Sequence, residues 1–117
     1  MITLLSQDPI GGLELQKRDG EWIGAPFIPG TLVINIGDLF QRWTNDIYRS
    51  NLHRVVNRTG KERYSIPTFF NLDYYTEVSC LPTCQSAHNL PRYQPIKSGE
   101  YLLSRFRDVQ KYRGAAA

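Results

Sequence analysis

The stretch HRVVNRTGKERYS, residues 53–65, carries one of the chain's two histidines and an Arg-Tyr-Ser triplet. Side chains two apart on a strand point to the same face, so Arg63 and Ser65 would present a guanidinium and a hydroxyl together, with Tyr64 turned away. A planar guanidinium pairs with a carboxylate through two parallel hydrogen bonds and a serine hydroxyl can add a third, so the pair reads as a carboxylate clamp. His53 is of a metal-ligating type, but a metal needs several ligands. Taken alone, His53 reads as a hydrogen-bonded histidine in a sheet, and Arg63 with Ser65 as a solvated strand face.

Other candidate ligands are poorer. Cys80, Cys84 and His88 form C-x3-C-x3-H. Only three ligands and a proline between the cysteines make ordinary thiols in a loop a better account than zinc. Asp38 precedes an apolar helical pattern, and helix capping explains it better than metal ligation. No residue is assigned a catalytic role.

The elements that must position these groups read as mainly β. MITLL is a short apolar strand, and Leu13 and Leu15 alternate ahead of Asp19-Gly20, a strong hairpin signal before Trp22 and Ile23. Leu32 to Ile36 is a β-branched run expected to be mostly buried. DLFQRWTND predicts a short covering helix capped by Asp38, with Leu39, Phe40 and Trp43 on one face. Ser50–Val56 and Tyr64–Phe70 read as two strands joined by a polar turn around Gly60, a hairpin-like pair. Residues 71–99 are irregular, interrupted by Pro82, Pro91 and Pro95. Leu102, Leu103, Phe106 and Val109 then fall on one side of an amphipathic C-terminal helix, and GAAA reads as a loose end. Trp22, Trp43, Phe69 and Phe70 are expected in the core.

At 117 residues the chain suits one domain, and 41% hydrophobic with 21% charged residues is an ordinary globular composition. The net charge of +3 is spread along the chain rather than clustered, which argues against nucleic acid. The absence of a long apolar run argues against a membrane partner. Two cysteines do not make a disulfide scaffold, and a soluble, cytoplasmic protein is expected.

The stretch PGTLVINIGDLFQRWTNDIYRSNLHRVVNRTGKERYSIPTFFNLD, with NIGD at Asn35–Asp38, HRV at His53–Val55 and RYS at Arg63–Ser65, resembles the C-terminal domain of the iron(II)- and 2-oxoglutarate-dependent dioxygenases of the isopenicillin N synthase-like superfamily. The resemblance runs from Ile2 to Phe106. It implies a double-stranded β-helix, or jelly roll, in which iron(II) is held by two histidines and a carboxylate. His53 matches the second histidine; Arg63 and Ser65 match the pair that binds the distal carboxylate of 2-oxoglutarate. In the family a His-x-Asp motif supplies the other two ligands just ahead of the segment matching ITLL, and Met1 falls after that place. The barrel is therefore expected to be incomplete, and the chain to be a fragment, a shortened gene product or a gene started at an internal methionine.

The resemblance leads to the C-terminal part of a single dioxygenase domain as the expectation, with residues 1–71 as barrel strands and 72–117 as covering loop and C-terminal helix. The intact relative would oxidise a small organic substrate by hydroxylation or a related step, decarboxylating 2-oxoglutarate to succinate. One imidazole cannot build a facial triad, so this chain by itself is not expected to bind iron or turn over. The alternative is a non-catalytic β-scaffold that associates with itself or a partner through exposed strand edges. Either reading places His53 and Arg63 on neighbouring strands, aimed into a shared hollow.

Overall fold

In a computed structural model, which describes residues 1–115, the chain divides into two compact units. The first comprises Met1–Asp38 and Arg49–Phe70; the second comprises Leu39–Tyr48 and the chain from Asn71 onward.

Six short strands build the first unit as two three-stranded antiparallel sheets. In one, β1 (Ile2–Gln7) lies between β4 (Val33–Ile36) and β6 (Ser65–Phe70). In the other, β2 (Leu13–Gln16) lies between β3 (Trp22–Gly24) and β5 (His53–Val55). The expected hairpin at Asp19-Gly20 joins β2 to β3. Gly20 adopts φ +90°, which costs glycine little, and the Asp19 carboxylate accepts the Glu21 N–H at 3.0 Å.

The strands expected as a hairpin-like pair, β5 and β6, are not partners. They belong to different sheets, because the chain crosses between sheets twice along one shared corner. β1 continues through Asp8–Gly12 into β2, and β5 runs back through residues 56–64 into β6. Gln7 stands opposite Ser65 on one side of the corner and Leu13 opposite Val55 on the other. The two crossings are thus arms of a single long bent hairpin that serves both sheets. Backbone bonds tie the arms at the bend, from Asp8 N–H to the Tyr64 carbonyl at 3.2 Å and from Val56 N–H to the Gly12 carbonyl at 2.9 Å. Gly12 has φ +86°, and a Cβ there would sit 2.7 Å from the Val56 carbonyl oxygen, so only glycine lets the arms approach this closely.

Burial differs from expectation. The Leu32–Ile36 run is not mostly buried: β4 is an edge strand, and Leu32 and Ile34 are more than half exposed. Phe69 and Phe70 are likewise exposed rather than core. Both lie in β6, the other edge of the same sheet, where no further strand covers them among the described residues.

α1 (Asp38–Trp43) belongs to the second unit from Leu39 onward, with Leu39 buried and Phe40 packing edge-on against Trp43 and Tyr48. Asp38 stands in the first turn of the helix itself. A two-residue ribbon of β7 (Glu77–Val78) and β8 (Ile96–Lys97) and a 3-10 turn at Pro82–Cys84 organise the segment that reads as irregular. Cys80 and Cys84 are free thiols. Asn45, 1% exposed, holds this segment by donating to the carbonyls of Asn89 and Leu90 and accepting the Arg92 N–H.

The C-terminal helix α2 (Ser98–Ala115) forms as expected, but Leu102, Leu103, Phe106 and Val109 are 39–57% exposed. Its apolar face is present in the sequence and, among the described residues, left exposed. Of the GAAA end, Gly114 and Ala115 are helical, and the last two alanines lie outside the described residues. No helix among the described residues is long and apolar enough to cross a membrane.

Candidate functional site

The inner faces of the two sheets line one cavity of about 340 Å³, entirely within the first unit. Strand alternation selects what faces it: Thr3 and Leu5 from β1, Leu13 and Leu15 from β2, His53 and Val55 from β5, and Ser65, Pro67 and Phe69 from β6. Arg63 and Asn51 join them. His53 and Arg63 therefore share a hollow, but from opposite sheets and not from neighbouring strands.

Arg63 lies just ahead of β6, at the corner, and is half-buried. Its Nε donates to the Gly11 carbonyl at 2.6 Å and its Nη1 to Ser65 Oγ at 2.9 Å. Two fixed nitrogens fix the plane of the fork. The remaining nitrogen, Nη2, is buried and has no hydrogen-bond partner. A buried unsatisfied donor on a cation is costly, and this guanidinium lines the cavity together with Ser65. The i, i+2 spacing anticipates the pairing of Arg63 with Ser65; it gives no hint of the Gly11 carbonyl.

His53 Nδ1 lies 3.2 Å from the Asn51 carbonyl oxygen. A carbonyl only accepts, so Nδ1 is the donor, and in a neutral imidazole that leaves the lone pair on Nε2, the form suited to ligating a metal. Iron is a different matter from the carboxylate. The cavity lining contains no carboxylate, thiol or second imidazole, and among the described residues no group of three or more His, Cys, Asp or Glu is placed to hold a metal ion. The residues present offer a guanidinium and a hydroxyl suited to a carboxylate; they do not by themselves fit an iron centre.

The strand bearing His53 is held from the opposite face of its sheet. Glu14 stands across from Arg54, accepts from its Nε at 2.8 Å, and pairs with Arg58 Nη1 at 2.6 Å. The Arg54 guanidinium also stacks 4.1 Å over the Trp22 ring. Hydrogen bonds from Arg58 and then Arg54 hold the Glu14 carboxyl below its usual value of 4.5. A depressed folded-state pKa contributes stability that is present above the unfolded value and lost as pH falls through the folded one. Glu14→Gln should therefore unfold at lower urea than the parent chain at pH 7, with the gap closing as pH drops below 4.5. Urea titrations at pH 7 and pH 3 measure this, and a pH-independent gap would refute the ion-pair account.

A model of the 2OG-Fe(II) oxygenase superfamily matches residues 1–72, a span that includes NIGD, HRV and RYS. The chain belongs to the 2OG-Fe(II) oxygenase superfamily. The "2-oxoglutarate-Fe(II) type oxidoreductase hxnY" of Emericella nidulans is 47% identical over 96 residues, covering 81% of this chain and 28% of that protein. A full-length Neurospora crassa protein, solved in complex with alpha-KG and thymine, superposes with a TM-score of 0.85 at 39% identity, over 92% of this chain and 34% of that one. JOX2 in complex with 2OG, Fe and JA gives a TM-score of 0.79 at 35% identity, over 87% of this chain and 30% of that one.

The resemblance read from the three motifs is thus borne out, as is the mainly β, double-stranded β-helix class to which these oxygenases belong. The chain spans about a third of the length of the relatives it matches. Structures of superfamily members hold 2-oxoglutarate, iron and small molecules such as thymine.

Proposed function

We propose that this chain supplies the cosubstrate-binding wall of an iron(II)/2-oxoglutarate-dependent dioxygenase. Arg63 and Ser65 bind the distal carboxylate of 2-oxoglutarate, and His53 contributes one imidazole to the metal. The whole enzyme oxidises a small organic molecule, by hydroxylation or a related step, while 2-oxoglutarate is decarboxylated to succinate. Residues 1–71 and 72–117 belong to one catalytic domain in this reading. The observation that carries it is the Arg63 guanidinium, bonded through Nη1 to Ser65 and left with a buried, unpartnered Nη2, on a residue that lines the same cavity as His53.

The chain's own residues bind and orient. The fork fixes one end of the cosubstrate, and the Leu5, Leu13 and Leu15 wall limits water around it. Oxygen chemistry requires metal ligands beyond His53, and among the described residues no group of three or more His, Cys, Asp or Glu is placed to supply them.

Titration of the isolated chain with 2-oxoglutarate, followed by calorimetry and by the Arg63 side-chain nitrogen signals, tests the reading. A clamp on one carboxylate without metal chelation gives a dissociation constant on the order of millimolar. Glutarate, which shares the distal carboxylate, should bind equally, and iron(II) should leave the affinity unchanged. No saturable response of Arg63 would end the reading.

A second reading is favoured by one observation. Both edges of the β4-β1-β6 sheet carry exposed apolar side chains, with Ile34 64%, Ile66 70% and Phe70 53% exposed. Such edges are templates for pairing with another chain, so the protein also self-associates through them. Light scattering should show a dimer or larger species at micromolar concentration, and a monodisperse monomer would overturn this.

A further inference from the structure

We infer that Asp8 is a positioning residue for the Arg63 clamp: a single carboxylate at the sheet-crossing corner holds both the turn that presents the Gly11 carbonyl and the backbone next to Arg63. The inference rests on the proposed reading of Arg63 as the cosubstrate clamp.

Arg63 stands outside β6, so strand register does not fix its side chain. What orients the guanidinium is Ser65 on one nitrogen and the Gly11 carbonyl on another. That carbonyl belongs to a turn with consecutive positive φ values at Gly11 and Gly12, which glycine adopts at little cost and leaves as easily, so the turn relies on its hydrogen bonds for support. Asp8 supplies it. Its Oδ1 accepts the Ile10 N–H at 3.0 Å, and its own carbonyl accepts the Gly11 N–H at 3.3 Å, which closes the turn. Its other oxygen, Oδ2, reaches across the corner to accept the Tyr64 N–H at 2.6 Å, one residue beyond Arg63. The backbone bond from Asp8 N–H to the Tyr64 carbonyl completes the bridge.

The consequence for binding is preorganisation. With Nε held by Gly11 and Nη1 by Ser65, the fork cannot swing, and Nη2 is held in one place before any carboxylate arrives. Released from the turn, the arginine would have to be ordered by the ligand, and that cost would be subtracted from affinity. Asparagine at position 8 keeps one accepting oxygen but turns an NH2 group toward a backbone N–H, so one of the two attachments fails. Alanine loses both.

The test uses the full chain, labelled with nitrogen-15. Arg63 Nε–H is assigned by its loss in Arg63→Lys, and its solvent exchange is measured without ligand in the parent, Asp8→Asn and Asp8→Ala. Freeing one rotamer-rich side chain predicts exchange about tenfold faster in Asp8→Ala, with Asp8→Asn between, and 2-oxoglutarate affinity weakened about tenfold in parallel. Asn57→Ala, which cuts side-chain bonds to Thr59 and Lys61 in the same β5–β6 connection, should change neither. Backbone signals of Leu13–Gln16 report whether each variant remains folded, and if Asp8→Ala does not, Asp8→Asn carries the test. Unchanged Arg63 exchange in a folded Asp8 variant overturns the inference. Faster exchange in a chain whose parent binds no 2-oxoglutarate upholds the positioning role and removes the clamp reading instead.

Discussion

Arg63→Met should abolish carboxylate binding and leave the chain folded. Methionine keeps the length and the apolar stem of arginine while deleting the fork. Each hydrogen bond between a guanidinium and a carboxylate contributes about 1.5–3 kcal/mol, so losing two lowers affinity by roughly a hundredfold or more. From a millimolar starting point that is no measurable binding. Arg63→Lys should also be severely weakened, because one ammonium cannot serve the Gly11 carbonyl, Ser65 and a ligand in the same plane.

Stability should respond differently. Removing Arg63 leaves the Gly11 carbonyl without its side-chain partner, which costs about 1–3 kcal/mol, but it also removes the buried unpaired Nη2, which costs a similar amount in the native chain. The two terms nearly offset, and Arg63→Met should unfold within about 1 kcal/mol of the parent. A side chain whose loss destroys binding and barely touches stability is kept for its ligand. Urea titration alongside the 2-oxoglutarate titration checks both halves. Arg63→Met that binds like the parent would refute the site, and a large loss of stability would make Arg63 a structural residue.

What the sequence discloses about this architecture is mostly local. Asp19-Gly20 predicts the β2–β3 hairpin because the turn chemistry lies within two residues. The spacing of Leu102, Leu103, Phe106 and Val109 predicts α2 in the same way, and the i, i+2 spacing anticipates the 2.9 Å contact of Arg63 with Ser65, although Arg63 lies just outside the strand. Pairing between distant segments is not written locally. A strand, a polar turn and a strand describe a hairpin and a sheet crossing equally well, which is why β5 and β6 read as partners.

The crossing is specified instead by the residues at the other arm of the bend, Asp8-Pro9-Ile10-Gly11-Gly12. An aspartate two residues ahead of a backbone N–H it can accept, followed by paired glycines, is a turn signal. It marks the place, but not the fact that Arg63 arrives there from 52 residues away. Burial is illegible for a related reason: Ile34 and Phe70 are strand formers by composition, and only the sheet order shows that they sit on edges. The ribbon of β7 and β8 has two residues on each side, too few for any periodicity to register.

In the second unit, Asn45→Ala should destabilise the chain by about 2–4 kcal/mol, the range for dismantling a buried hydrogen-bond network. Asn45 is 1% exposed and has φ +51°, a left-handed conformation that asparagine tolerates better than alanine. Its Nδ2 points at the carbonyls of Cys84, Asn89 and Leu90 at 3.4, 3.2 and 3.1 Å, and its Oδ1 accepts the Arg92 N–H at 2.9 Å. Alanine strands these groups out of water, adds backbone strain and leaves space in a packed site. Asn45→Asp is the sharper test, because it changes almost no volume. One carboxylate oxygen still accepts from Arg92, but the other faces carbonyl oxygens where a donor stood, so the charged form is disfavoured and the introduced carboxyl titrates above its ordinary range. Asn45→Asp should therefore be at least as unstable as Asn45→Ala at pH 7 and recover toward the parent on acidification, as protonation restores a donor in the folded state. Urea unfolding followed by circular dichroism at pH 7 and pH 4 separates the outcomes. If Asn45→Asp matched the parent at pH 7, the amide would not be donating to that ring of carbonyls, and the segment around Cys84 to Arg92 would have to be held by its ribbon and ion pairs instead.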